Sequence, residues 1–430
     1  MRVFGLSLLL FTFAALPLIS QVRLTLQEAE ALALKNHPQV LAEQNVIGAQ
    51  TQRITEARSA YYPLVNADVT ATLSGQGERI GAGYLSASRL INRVGLGFTL
   101  NQLVTDFGRT SNLVAQQRLL TNAAQQDYQA TQYDVLATVN RAYFGTLRAQ
   151  SLIKVAQETL AARQEVVNQV TALAQNQLRS QLDVSFATVN LAQAQLLLIQ
   201  SQNELKASYA DMTRALGQEQ PATYDLVEQP LPPSPAENVE QLVMQAIQNR
   251  PELASLRLNQ QAASRFELAE KDLSKPNVNI IGVTGYMPYV DQLTLPRVIP
   301  NEYAGGGINL QIPVFNGHLF SARREEAHYR ALEADQRLRD RAEQVERDVR
   351  TAWTTSMTAY QNLDVTAQLL REATLAMSLA QGRYDNGLST IVDLTLAQTN
   401  LTGAEIQNLS AKYDYQMQYA NLQYTVGTLR

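Results

Sequence analysis

The segment VNADVTATLS, from Val65 to Ser74, alternates apolar and polar side chains. Because successive side chains of a β-strand point to opposite faces, this period of two predicts a strand with one apolar and one polar face. In a soluble sheet another layer must cover the apolar face. In the wall of a transmembrane barrel, lipid covers it. The environment of this strand therefore decides the fold class.

Three other segments resemble the first. Residues 96–101 and 308–312 alternate in the same way, and residues 278–286 do so less regularly. No spare segment is available to cover a soluble sheet, so the pattern favours a barrel wall. Tyrosines at or beyond the strand ends fit either an aromatic girdle or ordinary strand ends: Tyr61, Tyr62, Tyr84, Tyr286, Tyr289 and Tyr303.

Four strands are too few to close a barrel, because about eight is the working minimum. Open strand edges cannot face lipid, since their unpaired backbone groups have no partner there. Other copies of the chain must therefore complete the barrel. The periodicity alone leaves a dimer, a trimer or a larger assembly open.

The chain contains an internal duplication. Asn36-His37-Pro38 precedes Asn249-Arg250-Pro251 by 213 residues, and Leu216-Gly217 precedes Val426-Gly427 by 210. A nearly constant offset of this kind indicates a two-fold repeat. We predict a signal peptide and three further segments: signal peptide 1–20, first repeat 21–217, Pro-rich linker 218–236 and second repeat 237–430.

Proline is absent between Pro63 and Pro221 and again after Pro313. Helices can therefore run for about 60 residues, or about 90 Å. Tight turns at 175–177 and 385–387 divide each long helical stretch into an antiparallel hairpin. A heptad seam of large residues, each followed three positions later by a small one, indicates close coiled-coil packing: Val184, Leu191, Leu198, Leu205 and Met212, with Ala187, Ala194, Ser201, Ser208 and Ala215.

The composition excludes several classes of function. The chain has no cysteine and a net charge of only −4, so disulfides, thiol chemistry and a polybasic nucleic-acid surface are not expected. Met1 and Arg2 precede an apolar run that ends near Ser20, which is typical of a secretory signal. No second run of 18 or more apolar residues follows, so we expect no spanning helix. His37, His318 and His328 lack metal-ligand spacing, and we predict neither enzyme nor cofactor site.

In its order of motifs, the chain resembles the outer-membrane efflux protein family. The motifs are the opening 24–38 with its second copy, the strand-to-helix passages Phe107-Gly108 and Val314 to Gly317, and the segment Arg383 to Asp393. The resemblance implies a mainly helical homotrimer with a shared 12-stranded β-barrel in the outer membrane and an α-helical tunnel in the periplasm. It also implies a passive exit duct that docks onto a periplasmic adaptor and an inner-membrane transporter. Loops 74–92 and 287–303 are expected to face outside.

The resemblance also implies a closed periplasmic aperture. Asp393 falls on the position of the family's first aperture aspartate, whereas Leu396 stands where some members carry a second one. Asp183 and Tyr384 fall on positions of a closing hydrogen-bond network. Ser389 replaces the basic partner of that network, and Arg179 is a candidate substitute. Without the resemblance, Asp393 is an acidic residue at a helix start, where carboxylates are favoured anyway.

Two other classes remain as alternatives. A periplasmic coiled-coil adaptor would carry one hairpin flanked by β-domains, not two equal copies. A structural envelope protein without a pore leaves the alternating strands and the duplication unexplained.

Overall fold

The computed structural model describes residues 22–73, 92–220, 222–290 and 301–429. The predicted signal peptide, Tyr84 and most of the two predicted loops lie outside these ranges. The fold is mainly helical. The helices are α1 (Leu26–Asn36), α2 (Pro38–Ser59), α3 (Arg109–Gln175), α4 (Gln181–Ala215), α5 (Val239–Asn249), α6 (Pro251–Lys271), α7 (Leu319–Asp385) and α8 (Ile391–Val426).

The two long hairpins are present as predicted. Helices α3 and α7 have 67 residues each, which corresponds to about 100 Å. They pack against α4 and α8, which have 35 and 36 residues. Both turns contain a residue with positive φ, Gln177 at 62° in the first and Gly387 at 72° in the second. This left-handed conformation is a common way to end a helix.

Burial confirms the seam between the arms of each hairpin. The small residues Ala187, Ala194 and Ser201 are almost fully buried on α4. Ala397 and Ala404 take the same role on α8. Because these side chains are short, the facing helix can approach closely.

Two helices lie between the first strand and the sheet. Thr25 and Glu28 form a capping box at the start of α1. His37 then has an extended backbone conformation, and Pro38 begins α2. Proline is tolerated at this first helical position because no intrahelical partner is required for its missing N–H. The second half repeats the break at Arg250 and Pro251.

Four strands form one antiparallel sheet in the order β2-β3-β5-β6. Their bounds are β2 (Leu64–Thr72), β3 (Arg93–Thr105), β5 (Asn277–Val290) and β6 (Glu302–Gln311). All four predicted strands are therefore present. Two short strands were not predicted. They are β1 (Val22–Leu24) and β4 (Tyr224–Leu226), which pair in parallel.

The strand β4 lies inside the predicted linker 218–236. Tyr224 and Leu226 are buried in a core cluster with Val139, Tyr143 and Met212. The Tyr143 hydroxyl donates hydrogen bonds to the carbonyl oxygens of Leu24 and Val227. This segment is therefore packed against the helices and is part of the folded body.

The sheet is a single layer. Val69 and Ile308, on its apolar face, are 81% and 77% exposed. The registers place apolar residues of all four strands on one face: Val69 opposite Leu96, Leu96 opposite Tyr286, and Ile280 opposite Ile308. Strand β5 is less regular and also has Ile281 and Val283 on the other face, opposite Asn101 and Thr99. The described residues thus leave the apolar face of this sheet uncovered, as the sequence pattern predicts for a barrel wall.

Tyr303 differs from the girdle interpretation. It pairs with Gly285, which in turn pairs with Gly97, so all three lie on the polar face. The Tyr303 hydroxyl lies so close to both glycines that a Cβ atom added to either would be only about 2.5 Å from it. Tyr303 therefore covers two glycines on the polar face and is not part of a lipid-facing girdle. Tyr286 lies on the apolar face.

We expect Gly97→Ala to destabilise the sheet by about 1–3 kcal/mol, the usual cost of overpacking. The new Cβ would lie 2.5 Å from the Tyr303 hydroxyl and 2.8 Å from the Thr284 carbonyl oxygen, so both strand and ring must shift. Gly307→Ala is the matched control, because a Cβ there meets nothing within 4 Å. Thermal unfolding of the detergent-extracted protein measures the difference. Equal midpoints for the two variants would contradict the prediction.

Among the described residues, one helix, α4, is long and apolar enough to cross a membrane, with a mean hydropathy of 1.4 over its best window. From the sequence, no spanning helix was predicted. Length and composition do not distinguish such a helix from a coiled-coil arm. Helix α4 packs along α3 and contains Asn190, Gln193 and Gln195. The apolar residues on one side of α4 are buried by this packing, whereas those on the other side are exposed.

Candidate aperture at the hairpin turns

The turns of the two hairpins lie side by side. A small core cluster joins them and contains residues of both: Val166, Val170, Ala187, Tyr384, Ile391 and Leu394. The side chain of Asn190 on α4 donates a hydrogen bond to the Thr395 hydroxyl on α8 at 3.0 Å. The predicted site residues Asp183, Tyr384 and Asp393 are therefore brought to one end of the molecule.

Asp393 is the third residue of α8 and forms a capping box with Thr390. One carboxylate oxygen accepts hydrogen bonds from the Thr390 backbone N–H at 3.0 Å and from its hydroxyl at 2.9 Å. The Asp393 N–H in return donates to that hydroxyl. These hydrogen bonds lower the pKa of Asp393, because they stabilise the charged form. The side chain is exposed, so its second oxygen remains open to solvent.

Asp183 has the same position on the other hairpin. It forms a capping box with Ser180 at the start of α4, with its carboxylate 3.0 Å from the Ser180 nitrogen. Both aspartates therefore act as helix-start residues, as the sequence without the resemblance indicates for Asp393.

Tyr384 is 1% exposed, and its hydroxyl has no hydrogen-bond partner among the described residues. No hydrogen bond joins Tyr384 to Asp183 in the described part of the chain, where the Asp183 carboxylate accepts from Ser180. Burial raises the pKa of the Tyr384 hydroxyl. The Arg179 guanidinium lies over the tyrosine ring at 4.5 Å and donates to its carbonyl oxygen at 3.4 Å. The candidate substitute Arg179 is thus in contact with Tyr384.

Ser389 and Leu396 complete the segment. The Ser389 hydroxyl is buried and has no partner among the described residues, so it does not take over the contacts of a basic side chain. Leu396 is exposed on α8, less than one helical turn beyond Asp393. Asp393 is therefore the acidic side chain that α8 presents at this end.

Sequence reasoning missed a polar contact between the hairpins. Arg163 on α3 is 6% exposed and donates a hydrogen bond to the side-chain oxygen of Gln398 on α8. Its burial lowers the pKa of the guanidinium. Spacing could have found it, because Arg163 shares a heptad stripe with the buried residues Thr159, Val166 and Val170. A charged residue at a core position of a coiled coil signals a specific partner.

Within the described ranges, no group of three or more histidine, aspartate or glutamate side chains is arranged to hold a metal ion. The candidate aperture therefore consists of carboxylates at helix starts, a buried tyrosine and an arginine. This arrangement supplies fixed charge and a contact between helices.

Comparisons with known proteins agree with this architecture. A model of the outer membrane efflux protein family matches residues 31–218 and 242–428. Outer membrane protein TolC of Vibrio cholerae is 27% identical over 440 residues, covering 98% of this chain and 95% of that protein. Outer membrane protein TolC of Salmonella enteritidis is 23% identical over 419 residues, covering 94% and 83%.

Among solved structures, the outer-membrane channel OprN has the same fold. The superposition has a TM-score of 0.81 at 18% identity and covers 94% of this chain and 90% of OprN. At this level of identity, the likeness bears on the fold alone.

Proposed function

The chain belongs to the outer membrane efflux protein family, and from that membership we propose that it is the outer-membrane exit duct of a tripartite efflux or type I secretion system. Three copies form one passive channel. Its strands lie in the outer membrane, and its helical hairpins extend into the periplasm. A periplasmic adaptor and an inner-membrane transporter deliver the substrate. The duct itself performs no enzymatic step.

The observation that carries this proposal is the uncovered four-stranded sheet. Both of its faces are exposed within the chain, and β2 and β6 are edge strands. An open edge and an apolar face are both unfavourable in water, and the edge is equally unfavourable in lipid. Pairing of β2 with β6 of the next copy removes the edges, and lipid covers the apolar face. Three copies supply twelve strands.

The helices have matching open edges. Helix α3 packs against α4 and α8, and α8 packs against α7, so α4 and α7 are the outer members of the row. Both expose apolar side chains along their length. These are Leu182, Phe186, Val189, Leu196 and Ile199 on α4, and Val365, Leu369, Leu375 and Leu379 on α7. A helical barrel closed between copies buries both stripes, and this burial supports the same trimer.

The proposal includes two structural repeats, 21–217 and 237–430, with the segment 218–236 between them. In support, the order of two short helices, two strands and one long hairpin occurs once in each half. The repeat gives each copy two hairpins. A trimer then lines its tunnel with six.

We assign the aperture to the turns of the hairpins. Three Asp393 side chains around one axis form a cation-attracting ring. Tyr384 and Asp183 belong to the contacts that hold the aperture closed, with Arg179 replacing the missing basic residue at Ser389. The contact of Arg179 with the Tyr384 ring supports this assignment.

Replacement Asp393→Asn is expected to bring the cation-to-anion permeability ratio of the channel towards unity in planar bilayers, because it removes the ring of charge. Thr390→Ala is the matched control: it removes the cap, at a cost of about 1 kcal/mol, and keeps the carboxylate. Selectivity unchanged in Asp393→Asn, or lost equally in Thr390→Ala, would remove Asp393 from the aperture.

The pH dependence of this selectivity follows from the lowered pKa of Asp393. The cap hydrogen bonds stabilise the carboxylate, so the ring keeps its charge until the pH falls through the lowered pKa of the folded protein. Cation selectivity therefore persists at neutral pH and disappears only in acid. Crowding of three carboxylates acts in the opposite direction and raises their pKa values. Loss of selectivity already near neutral pH would contradict the lowered pKa and would indicate that the crowding prevails.

The native mass of the protein extracted from the outer membrane into detergent tests the proposed function. A stable trimer is the expected result, since the two open edges close between copies. A water-soluble monomer that needs no detergent would contradict it and favour an adaptor or a structural coiled-coil protein.

A further inference from the structure

In each chain the first half covers part of the second half, but the equivalent surface of the first half is left without a cover. Within the chain, α3 packs against α6 and α8. The repeat offset of 210–213 residues makes α7 the equivalent of α3, and α2 and α4 the equivalents of α6 and α8. The equivalent interface would therefore join α7 to α2 and α4. Among the described residues, α7 instead packs mainly against α8, α6 and α5. Helix α2 accordingly buries only Val40, whereas its counterpart α6 buries six residues.

The filled interface on the second half has a defined chemistry. The Tyr424 hydroxyl donates a hydrogen bond to the Asp134 carboxylate of α3 at 2.5 Å. The Arg250 guanidinium lies 5.5 Å over the Tyr424 ring and 3.0 Å from Glu252. The space left between α3 and these residues is only about 10 Å³. Helix α3 therefore closes this site.

The local structure of the two halves supports the equivalence. Gly217, with φ of 66°, ends the first hairpin and lies against the helix break at Asn36 and His37. A Cβ atom on Gly217 would lie only 2.7 Å from the His37 Cα. Gly427, with φ of 77°, ends the second hairpin against Asn249 and Arg250 at 3.4 Å. Each hairpin end thus docks on its own helix break in the same way.

The corresponding site on the first half is open. His37, Pro38 and Arg214 replace Arg250, Pro251 and Tyr424, and they line a groove of about 810 Å³. Another part of this groove runs along α3 and α4. Its equivalent on the second half is a space of about 360 Å³. This part of the groove is therefore open in both halves. The part that α3 closes on the second half is therefore the part that lacks a cover here.

The charges change together across the repeat. On α3 the residues at this interface are Ala130, Tyr133 and Asp134. The equivalent residues of α7, 210 positions later, are Asp340, Glu343 and Gln344. Asp340 and Glu343 are exposed carboxylates, and the nearest cation to Glu343 is Arg339 of the same helix at 3.5 Å. On the opposing side, the tyrosine becomes the cation Arg214. Arg141 also lines the groove, together with the acidic residues Asp211 and Glu219. An aspartate–tyrosine contact is thus replaced by carboxylates facing an arginine.

We propose that the groove lined by His37, Pro38 and Arg214 receives the α7 segment around Asp340, Glu343 and Gln344 of a second copy of this chain. The contact repeats between copies the arrangement by which α3 covers Arg250 and Tyr424 within one copy. It is a head-to-tail contact, which closes a ring when the rotation between copies allows it, and the proposed trimer contains three such contacts. This inference rests on the proposed trimer and adds the position of α7 on its neighbour.

Because the chain contains no cysteine, cross-linking in outer-membrane vesicles tests the contact without background. The variant Arg214→Cys with Gln344→Cys is treated with a short bis-maleimide and analysed on a denaturing gel. Two- and three-chain products are expected. The pair Asp134→Cys with Tyr424→Cys is the equivalent contact within the chain and is expected to give linked monomers only. The control is the pair Arg214→Cys with Arg330→Cys. Arg330 lies on nearly the same face of α7 as Gln344 but about 20 Å from it along the helix, so no product is expected.

The outcomes separate the inference from the proposed function. A trimer by native mass without linked chains, or with equal linking from Arg330→Cys, overturns the proposed position of α7 and leaves the duct intact. A monomer without linked chains overturns both. Linked chains from the Gln344→Cys pair alone support both.

Discussion

Val69→Lys is expected to prevent accumulation of the trimer in the outer membrane, whereas Thr70→Lys leaves it in place. Val69 is 81% exposed on the apolar face, opposite Leu96. A lysine facing lipid near the middle of the membrane costs about 2–4 kcal/mol, and the trimer carries three of them. Thr70 lies next to it in the same strand, but its side chain points to the polar face.

The measurement is the amount of trimer in the outer-membrane fraction at equal total expression of the two variants. The neighbouring control has the same added charge and almost the same position, so it separates the face of the sheet from other effects of lysine. Equal amounts of trimer from both variants would show that the apolar face does not contact lipid.

The second large effect is expected from Gln398→Leu. This change removes the acceptor of the buried Arg163 guanidinium and leaves its charge without the hydrogen bond that Gln398 supplies between the hairpins. A lost hydrogen bond to a charged group costs about 1.5–3 kcal/mol per copy. The unfolding midpoint of the helical part is therefore expected to fall.

The double variant Arg163→Met with Gln398→Leu is the matched control. Replacing both partners of a buried polar pair by apolar groups of similar size is often close to neutral. The double variant is thus expected to be more stable than Gln398→Leu alone, with a coupling energy measurable in a double-mutant cycle. Additive losses would show that Arg163 and Gln398 stabilise the protein independently.

The same contact bears on the proposed aperture. Arg163 belongs to the first hairpin and Gln398 to the second. An opening that separates the two hairpins at this level would break this hydrogen bond. Arg163 and Gln398 would then link the stability of the proposed helical barrel to the mobility of its end.

Local patterns predicted the individual elements well. The two-residue period in 65–74 identified a strand, and the lack of proline identified the long hairpins, because both features act through the backbone of neighbouring residues. The capping box of Thr25 and Glu28 was predictable for the same reason. The short strands β1 and β4 were not, since three residues carry too little periodicity.

Properties that depend on contacts across the chain were not predictable. Tyr303 looked like a girdle residue at a strand end, but the pairing register places it over Gly97 and Gly285. Arg163 lies on a buried heptad stripe that the sequence shows, but only the crossing of α3 and α8 identifies Gln398 as its partner. The burial of the Tyr384 hydroxyl without a hydrogen-bond partner among the described residues also depends on the packing of the two hairpins.

The sequence by itself determined the strands, the long hairpins and the duplication, because periodicity, proline and turn residues act over short distances along the chain. Only the tertiary structure decided which face of the sheet each side chain occupies, which helices stand at the open edges, and how α3 closes the second half while the first half stays open. These depend on register and helix crossing, which bring together residues more than a hundred positions apart.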